Sequence, residues 1–302
     1  MGGIVVPTQT KMVTFRSNRK PGLFSPRESL QSQILAGHDT TGLVQLLKDQ
    51  VEEYFPGAIP SQDVLDKVSR ICQARGWHAK NCLYAQSVCP DEINHERGDV
   101  THLFTNYLGE VFHLGGLGGI PFTGKSGFAA YSHHVPDGGN CFILMAPHVG
   151  VDSRCNLGSY DRAGQINAGA ACGAAIGALG HCKASKELPD LTKSQDDYQM
   201  SYIIHRVNEA KDEILGDDPE DENAIQARLA NHMHKVATEM LDNIATLNFG
   251  GPHSSLIILT GIQINMPDPL PDYFQPRAFY VKQKTGEAYM DLFEETFGTS
   301  KP

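Results

Sequence analysis

The chain has 302 residues, of which 40% are hydrophobic and 20% charged, enough to bury a sizeable core as one large domain or two small ones. Lys and Arg total 25 against 35 Asp and Glu, and a formal net charge of −10 argues against nucleic acid or an anionic membrane as the main partner. No apolar run approaches the roughly 20 residues of a bilayer span.

The charge is uneven along the chain. Residues 1–30 carry +4, whereas the remainder carries −14. The basic segment is rich in Ser, Thr and Gly, so we expect residues 1–38 to form a flexible basic arm and residues 39–302 a single domain. Two interpretations of the arm stay open: the remainder of an organelle transit peptide, or a disordered tail that begins with a cloning remnant.

Apolar residues at helical spacing predict two amphipathic helices first, over residues 43–54 and 64–72. The run "NCLYAQSVC" is typical of a buried strand, and "DEINHERGDVTHLFTNYLG" of a helix with acidic residues in its first turn. After a glycine-rich loop comes a second buried strand, "CFILMAPHVG". The helix "INAGAACGAAIGALGHC" is so rich in small residues that another backbone is expected to pack closely against it.

Beyond residue 189 the chain is strongly helical over 194–215 and 225–247. The strands "SLIILTGIQIN" and "RAFYVKQK" follow, and "EAYMDLFEETF" is predicted as a closing helix. Strands that alternate with helices predict an α/β fold around a largely parallel central sheet flanked by helices, with extra helices at both ends of the chain.

Residues 119–126 match the Walker A pattern G-x-x-x-x-G-K-[ST] letter for letter. A working P-loop follows a buried strand and opens a long helix, but here "EVFHL" is short and Pro136 ends the next piece after barely two turns. The next apolar strand ends in His148 instead of a magnesium-binding carboxylate. We therefore interpret the motif as a turn that brings backbone close to another segment, with a P-loop nucleotide-binding protein as an alternative.

Two buried strands end at good transition-metal ligands, Cys89 and His148. The carboxyl ends of parallel strands lie at the same edge of a sheet. Cys172, near the start of the small-residue helix, can reach that edge and is our choice for the third ligand. Cys182, later in the same helix, is the alternative. Two thiolates and an imidazole bind zinc and leave its fourth position free for water or substrate. The sequence therefore predicts a zinc site.

Asp91 lies two residues after Cys89, close enough to reach the same metal or its water. Such a carboxylate can accept a proton from the water, or it can bind zinc and close the site unless an arginine holds it away in a bidentate pair. The candidates for that arginine are Arg162, Arg154 and Arg97. The candidates for a proton shuttle, since histidine titrates near neutral pH, are His95, His133 and His134.

Six motifs in order, "SVCPDEIN", "LGGLGGIPFTGKSGF", "HHVPDGGN", "APHVG", "DRAGQ" and "ACGA", resemble the limiting-CO2-inducible protein B family, also called the theta class of carbonic anhydrases. The likeness runs from about residue 40 to about 282 and includes "QINMPDPLPDYFQPRAF". It implies a fold and a zinc site similar to those of beta-class carbonic anhydrases, an Asp–Arg dyad beside the metal, and a homodimer. The implied activity is zinc-dependent, reversible hydration of CO2 to bicarbonate in a carbon-concentrating role.

Carried onto this chain, the resemblance assigns the ligands and the dyad aspartate to Cys89, His148, Cys172 and Asp91. The beta-class pattern C-x-D-x-R would place arginine at position 93, which is Ile93 here, so we choose Arg162 in "DRAGQ". The glycine-rich loop around Gly119 would line the substrate pocket, with Phe122 and Phe128 as apolar walls for CO2.

The same resemblance covers members that act mainly as partners in a larger assembly of the carbon-concentrating machinery. The alternative function is therefore a zinc-bearing but inactive scaffold, or a subunit that forms a hetero-oligomer with a related chain. The zinc ligands do not separate the two cases, because a closed site keeps all of them. From the family and the basic arm we expect a chloroplast location, with the cytoplasm as the alternative.

Overall fold

A computed structural model describes residues 29–245, 254–283 and 289–298. Its helices are α1 (Leu30–Leu35), α2 (Thr41–Tyr54), α3 (Ser61–Ala74), α4 (Val100–Leu108), α5 (Gly124–His133), α6 (Gly173–Ala184), α7 (Tyr198–Glu209), α8 (Lys211–Leu215), α9 (Glu222–Ile244) and α10 (Phe293–Phe297). Its strands are β1 (Ile59–Pro60), β2 (Cys82–Val88), β3 (Val111–His113), β4 (Asn140–Ala146), β5 (His148–Gly150), β6 (Ser159–Tyr160), β7 (Gly169–Ala170), β8 (Ser255–Asn265), β9 (Tyr273–Gln283) and β10 (Tyr289–Asp291). Within these ranges, no helix is both long and apolar enough to cross a membrane.

The central sheet has the strand order β1-β9-β8-β4-β2-β3. The four strands β3, β2, β4 and β8 run parallel, whereas β9 is antiparallel to β8, and β1 and β10 are antiparallel to β9. After Pro147 the chain resumes as β5, which pairs in parallel with the second half of β8. The α/β prediction is confirmed, with an antiparallel edge added to a parallel core. The carboxyl ends of β2, β5 and β8 therefore lie at one edge.

Helices cover both faces of the parallel core, which explains why its strands read as continuous apolar runs. In β4, Ile143 and Met145 pack with α5, α6, α7 and α9 on one face. Phe142 and Leu144 point to the other face and pack with α3, α4 and α10. Since side chains alternate along a strand, one short segment contributes to two separate cores.

The N-terminal helices cover the far end of β8. Residues 1–28 of the predicted basic arm lie outside the described residues, but its last part contains α1. Leu30 is fully buried, and its backbone N–H donates to Ser153 Oγ at 2.8 Å. Leu30 and Leu47 pack in one cluster with Val149 and Ile264. The folded domain therefore extends to residues that composition alone assigns to the arm.

Several helix predictions are wrong at their boundaries. The small-residue helix begins at Gly173, and the helix expected over 194–215 is divided into α7 and α8. Two further cases have a clear local cause. The helix expected from residue 91 begins at Val100, where the Asp99 carboxylate caps it by accepting the backbone N–H of His102 at 2.7 Å. The closing helix is confined to α10, because Tyr289–Asp291 pairs with the open side of β9. In both segments a local contact, a cap or a strand partner, outweighs helical periodicity.

The Walker-like stretch forms a tight 3₁₀ turn followed by the short helix α5. The Gly119 carbonyl accepts from Ser87 Oγ at 2.9 Å, and a Cβ at Gly119 would lie 2.9 Å from the Pro147 Cα. The turn thus packs its backbone against the ends of β2 and β4, in agreement with our interpretation. Close packing of another backbone against α6 is confirmed, because α7 lies closely along it. The glycines contribute unequally: a Cβ at Gly177 would lie 3.2 Å from the Met200 side chain, whereas one at Gly180 would meet nothing within 4 Å.

We expect Gly115→Ala to lower the free energy of unfolding by about 2 kcal/mol or more, because overpacking forces neighbouring backbone to shift. A Cβ at Gly115 would lie 2.4 Å from the Val88 carbonyl oxygen and 2.5 Å from its nitrogen. Gly180→Ala is the matched control, and an open helical position should gain up to about 1 kcal/mol. Urea unfolding measures both, and equal stabilities of the two variants would contradict the packing.

Candidate metal centre

Three buried side chains meet at the carboxyl edge of the parallel core. Cys89 follows β2, His148 opens β5, and Cys172 is the N-cap residue of α6. Their donor atoms all lie within 4.8 Å of one another, and the Cys89 and Cys172 Sγ atoms are 3.7 Å apart. The structure therefore brings together the three residues that the sequence analysis selects as ligands. Cys182 lies elsewhere, with its thiol donating to the Ile204 carbonyl.

The donor set fits zinc. Two thiolates at the usual zinc–sulfur distance of about 2.3 Å in a tetrahedron lie about 3.8 Å apart, close to the separation observed here. His148 Nε2 is buried and has no hydrogen-bond partner in the described part of the chain, the kind of orphaned atom that a metal would satisfy. The Cys89–His148–Cys172 group can hold a metal ion.

Asn265, at the end of β8, fixes the orientation of the His148 ring. Its amide nitrogen donates to the Ile93 carbonyl at 3.1 Å and to Asp272 Oδ2 at 3.0 Å, so its Oδ1 is the atom that faces His148 Nδ1 at 2.9 Å. An acceptor there places the proton on Nδ1 and leaves the Nε2 lone pair for a metal. Burial raises the pKa of Asp272 to about 7.

The pKa values of the two thiols shift in opposite directions. The contact with Cys89 lowers the pKa of Cys172, and the backbone N–H groups of Ala175 and Ala174 at the start of α6 act in the same direction. The contact with Cys172, reinforced by burial, raises the pKa of Cys89. The N-terminus of α6 therefore favours the negative charge that a thiolate ligand needs.

Asp91 lies beside these donors and is held by Arg162. Arg162 Nη2 donates to Asp91 Oδ1 at 2.9 Å, while Asp91 Oδ2 lies 3.8 Å from His148 Nε2. Arg162 also donates from Nε to Glu92 Oε1 at 2.6 Å and from Nη1 to the Ala170 carbonyl at 3.2 Å. Of the three candidate arginines, Arg162 is the one that contacts Asp91.

Position 93 shows why the arginine comes from a distant segment. Ile93 is buried against Tyr160 and Ala171, an apolar setting in which an unpaired charge would be unfavourable. The β6–β7 hairpin carries Arg162 to Asp91 instead, across 71 residues of sequence. Arg97 and Arg154 are exposed.

Three contributors to the site escaped the sequence analysis: Glu92, Asn265 and Asp272. The hydrogen bond from Arg162 lowers the pKa of Glu92 to about 2, so Glu92 stays charged and helps to anchor the guanidinium. Asn265 could have been predicted from the sequence, because it is a polar residue at the end of an apolar strand, as are Cys89 and His148. Asp272 had none, since its role depends on a hydrogen bond to Asn265 across the turn between β8 and β9.

Among the described residues, the other predicted site residues add no donor atom to the Cys89–His148–Cys172 group. Phe122 borders a cavity of about 370 Å³ that none of the ligands lines, and Phe128 is buried against Tyr131. Their role as walls for CO2 stays a prediction. Among the shuttle candidates, His95 lies near enough to Asp91 and His148 to interact electrostatically, and burial lowers its pKa. His133 and His134 lie at the end of α5.

We expect Asn265→Leu to weaken zinc binding by about 10- to 100-fold, because the ring of His148 loses the acceptor that sets its tautomer. Gln263→Leu is the matched control: Gln263 also donates to Asp272, at 3.3 Å, but does not hydrogen-bond to His148. Competition with a chromophoric chelator measures both affinities, and thermal unfolding verifies that both variants fold. A folded Asn265→Leu protein with the affinity of the control would refute this role.

Comparison with known proteins gives a consistent result. The family model described as limiting CO2-inducible proteins B/C, beta carbonic anhydrases, matches residues 58–283. The crystal structure of PtLCIB4, a homolog of the limiting CO2-inducible protein LCIB, is 27% identical, with a TM-score of 0.70 over 80% of this chain and 98% of that chain. The structure of LCIB itself shares the fold, at 18% identity and a TM-score of 0.54 over 80% and 96% of the two chains.

No curated protein sequence matches the chain significantly. The family match covers well over half of the 302 residues and includes all three metal-ligand candidates together with Asp91 and Arg162. The chain therefore belongs to the family of limiting CO2-inducible proteins B/C, beta carbonic anhydrases.

Proposed function

We propose that the protein catalyses the reversible hydration of CO2 to bicarbonate, with zinc held by Cys89, His148 and Cys172. The observation that carries the proposal is the buried Cys₂His set with the Asp91–Arg162 pair beside it. When bound there, zinc supplies a Lewis acid that lowers the pKa of a water molecule and so provides a nucleophile near neutral pH.

In this proposal Asp91 orients the reacting water and Arg162 holds Asp91 in position. Asp91 Oδ2 lies 3.8 Å from His148 Nε2. From this position the carboxylate can accept a hydrogen bond from the reacting water and orient that water toward CO2. Arg162 donates a hydrogen bond to Asp91 Oδ1. Its further hydrogen bonds to Glu92 and to the Ala170 carbonyl hold the guanidinium in place. Because that oxygen is already paired, Asp91 is restrained from turning inward to become a ligand.

The finer family properties are also proposals: theta class, a homodimer as the building block, a carbon-concentrating role and a plastid location. The ordered motifs that resemble the limiting-CO2-inducible protein B family support the first three, and the basic segment before residue 30 supports the last.

Exchange of ¹⁸O between labelled CO2 and water, followed by mass spectrometry, tests the activity in both directions at equilibrium. We expect the purified zinc-loaded protein to accelerate loss of label in proportion to its concentration. A zinc-loaded protein without any acceleration would favour an inactive scaffold over the proposal.

A further inference from the structure

A second cavity, of about 670 Å³, lies between α2, α8, α9 and β9, and none of the metal-centre residues lines it. Ligand pockets in proteins range over roughly 300–1,000 Å³, so this one is large enough for a small organic molecule. Among its described lining residues, three cations, Arg228, Lys235 and Arg277, face a single carboxylate, Glu213. An excess of positive charge is unexpected in a chain whose net charge is −10.

The two arginines are held in place by neutral groups. Arg277 Nη2 donates to the side-chain oxygens of Asn231 and Gln275, and its Nε is buried with no hydrogen-bond partner in the described structure. Arg228 donates from Nε and Nη2 to the carbonyls of Ile214 and Leu215, both at 2.7 Å. Within the described ranges, neither arginine nor Lys235 forms an ion pair with a carboxylate.

Positive charges that lie around one cavity without carboxylate partners are unfavourable for folding unless an anion binds between them. A half-buried guanidinium loses hydration, and its partners here neutralise none of its charge. The histidines that also line the cavity do not add to the charge near neutral pH. Burial, with the charge of Arg277 second, lowers the pKa of His234 to about 4, and burial lowers the pKa of His232. The lining thus holds three cations whose charges no described carboxylate neutralises through an ion pair.

We propose that this cavity binds a small molecule through a phosphate group. The positive charges of two guanidinium groups and an ammonium group match the double negative charge of a phosphate monoester, whereas bicarbonate offers one charge. The volume leaves room for an organic portion beyond the phosphate, next to Tyr54 and Ile214 in the lining. This binding site is separate from the metal centre and does not depend on the proposed function.

Isothermal titration of the full-length protein with inorganic phosphate tests the proposal. We expect saturable binding that weakens about tenfold or more, equivalent to about 1.4 kcal/mol, in Arg277→Gln and in Lys235→Gln. Lys80→Gln removes the same charge from an exposed lysine outside the cavity and should bind like the wild type. Lys235 is exposed, so its variant remains informative if Arg277→Gln does not fold.

Absence of saturable binding would overturn the proposal, as would equal affinities in folded Lys235→Gln and Lys80→Gln. Bicarbonate that binds more tightly than phosphate would overturn the assignment of the ligand class. Sedimentation of the same proteins distinguishes a further case. If Lys235→Gln dissociates an oligomer that Lys80→Gln retains, the cavity is an interface between copies and the small-molecule proposal is wrong.

Discussion

Cys172→Ser is expected to abolish zinc binding and CO2 hydration together. Serine replaces the thiolate whose charge the N-terminus of α6 stabilises, and an alcohol is not deprotonated by the same surroundings. Two protein ligands do not hold zinc in a site that needs three. We expect the zinc content to fall from about one per chain to near none, and CO2 hydration to fall by about 10³-fold or more. Elemental analysis and stopped-flow hydration measure the two effects.

Cys182→Ser is the matched control for this change. Cys182 is a buried thiol in the same helix, and its contact with the Ile204 carbonyl can be kept by a hydroxyl. The control should retain zinc and activity. A Cys172→Ser protein that kept both would remove Cys172 from the metal centre and contradict the ligand set.

Asp91→Asn is expected to retain zinc and lose CO2 hydration by about 10²-fold or more, a typical contribution of a positioned proton acceptor. The amide has nearly the same shape, but it carries no charge for Arg162 and is a poor acceptor of a proton. Since Asp91 is not a ligand in this account, the zinc content should not change. Stopped-flow rates normalised to zinc separate the loss of chemistry from loss of metal.

Glu92→Gln is the matched control for Asp91→Asn. Both carboxylates contact Arg162, but the Glu92 side chain is 69% exposed and that of Asp91 is 12% exposed and turned toward His148. Removing the outer carboxylate should reduce activity by a few-fold at most, as exposed ion pairs contribute little. Equal losses in the two variants would mean that Asp91 acts only by anchoring the arginine.

Much of the fold follows from local patterns. The apolar runs of β2, β4 and β8 are readable as buried strands because helices cover both faces of the sheet. The segments that were misassigned are short ones at the ends of elements, where a single contact decides the outcome. Asp99 sets the start of α4 through one capping hydrogen bond, and Tyr289–Asp291 becomes a strand because β9 offers an edge.

The sequence predicts the site residues that lie at the ends of parallel strands. It does not predict the hydrogen-bond partners that loops and hairpins bring to them. Cys89 and His148 can be selected because strand ends converge at one edge. The pairing of Asp91 with Arg162 depends on a two-stranded hairpin that sequence patterns do not reveal. The residues alone therefore left three arginines open, and Arg162 was chosen through the family resemblance. Asp272 acts through Asn265, and such indirect contacts have no local sequence signature.

Stopped-flow CO2 hydration by the purified protein near pH 8.5, before and after removal of zinc with a chelator, shows whether this protein is a zinc-dependent carbonic anhydrase. We expect hydration that disappears on chelation and returns when zinc is added back. Zinc-containing protein without activity would contradict the proposed enzyme and favour a scaffold. A protein that neither hydrates CO2 nor binds zinc would contradict the metal centre itself.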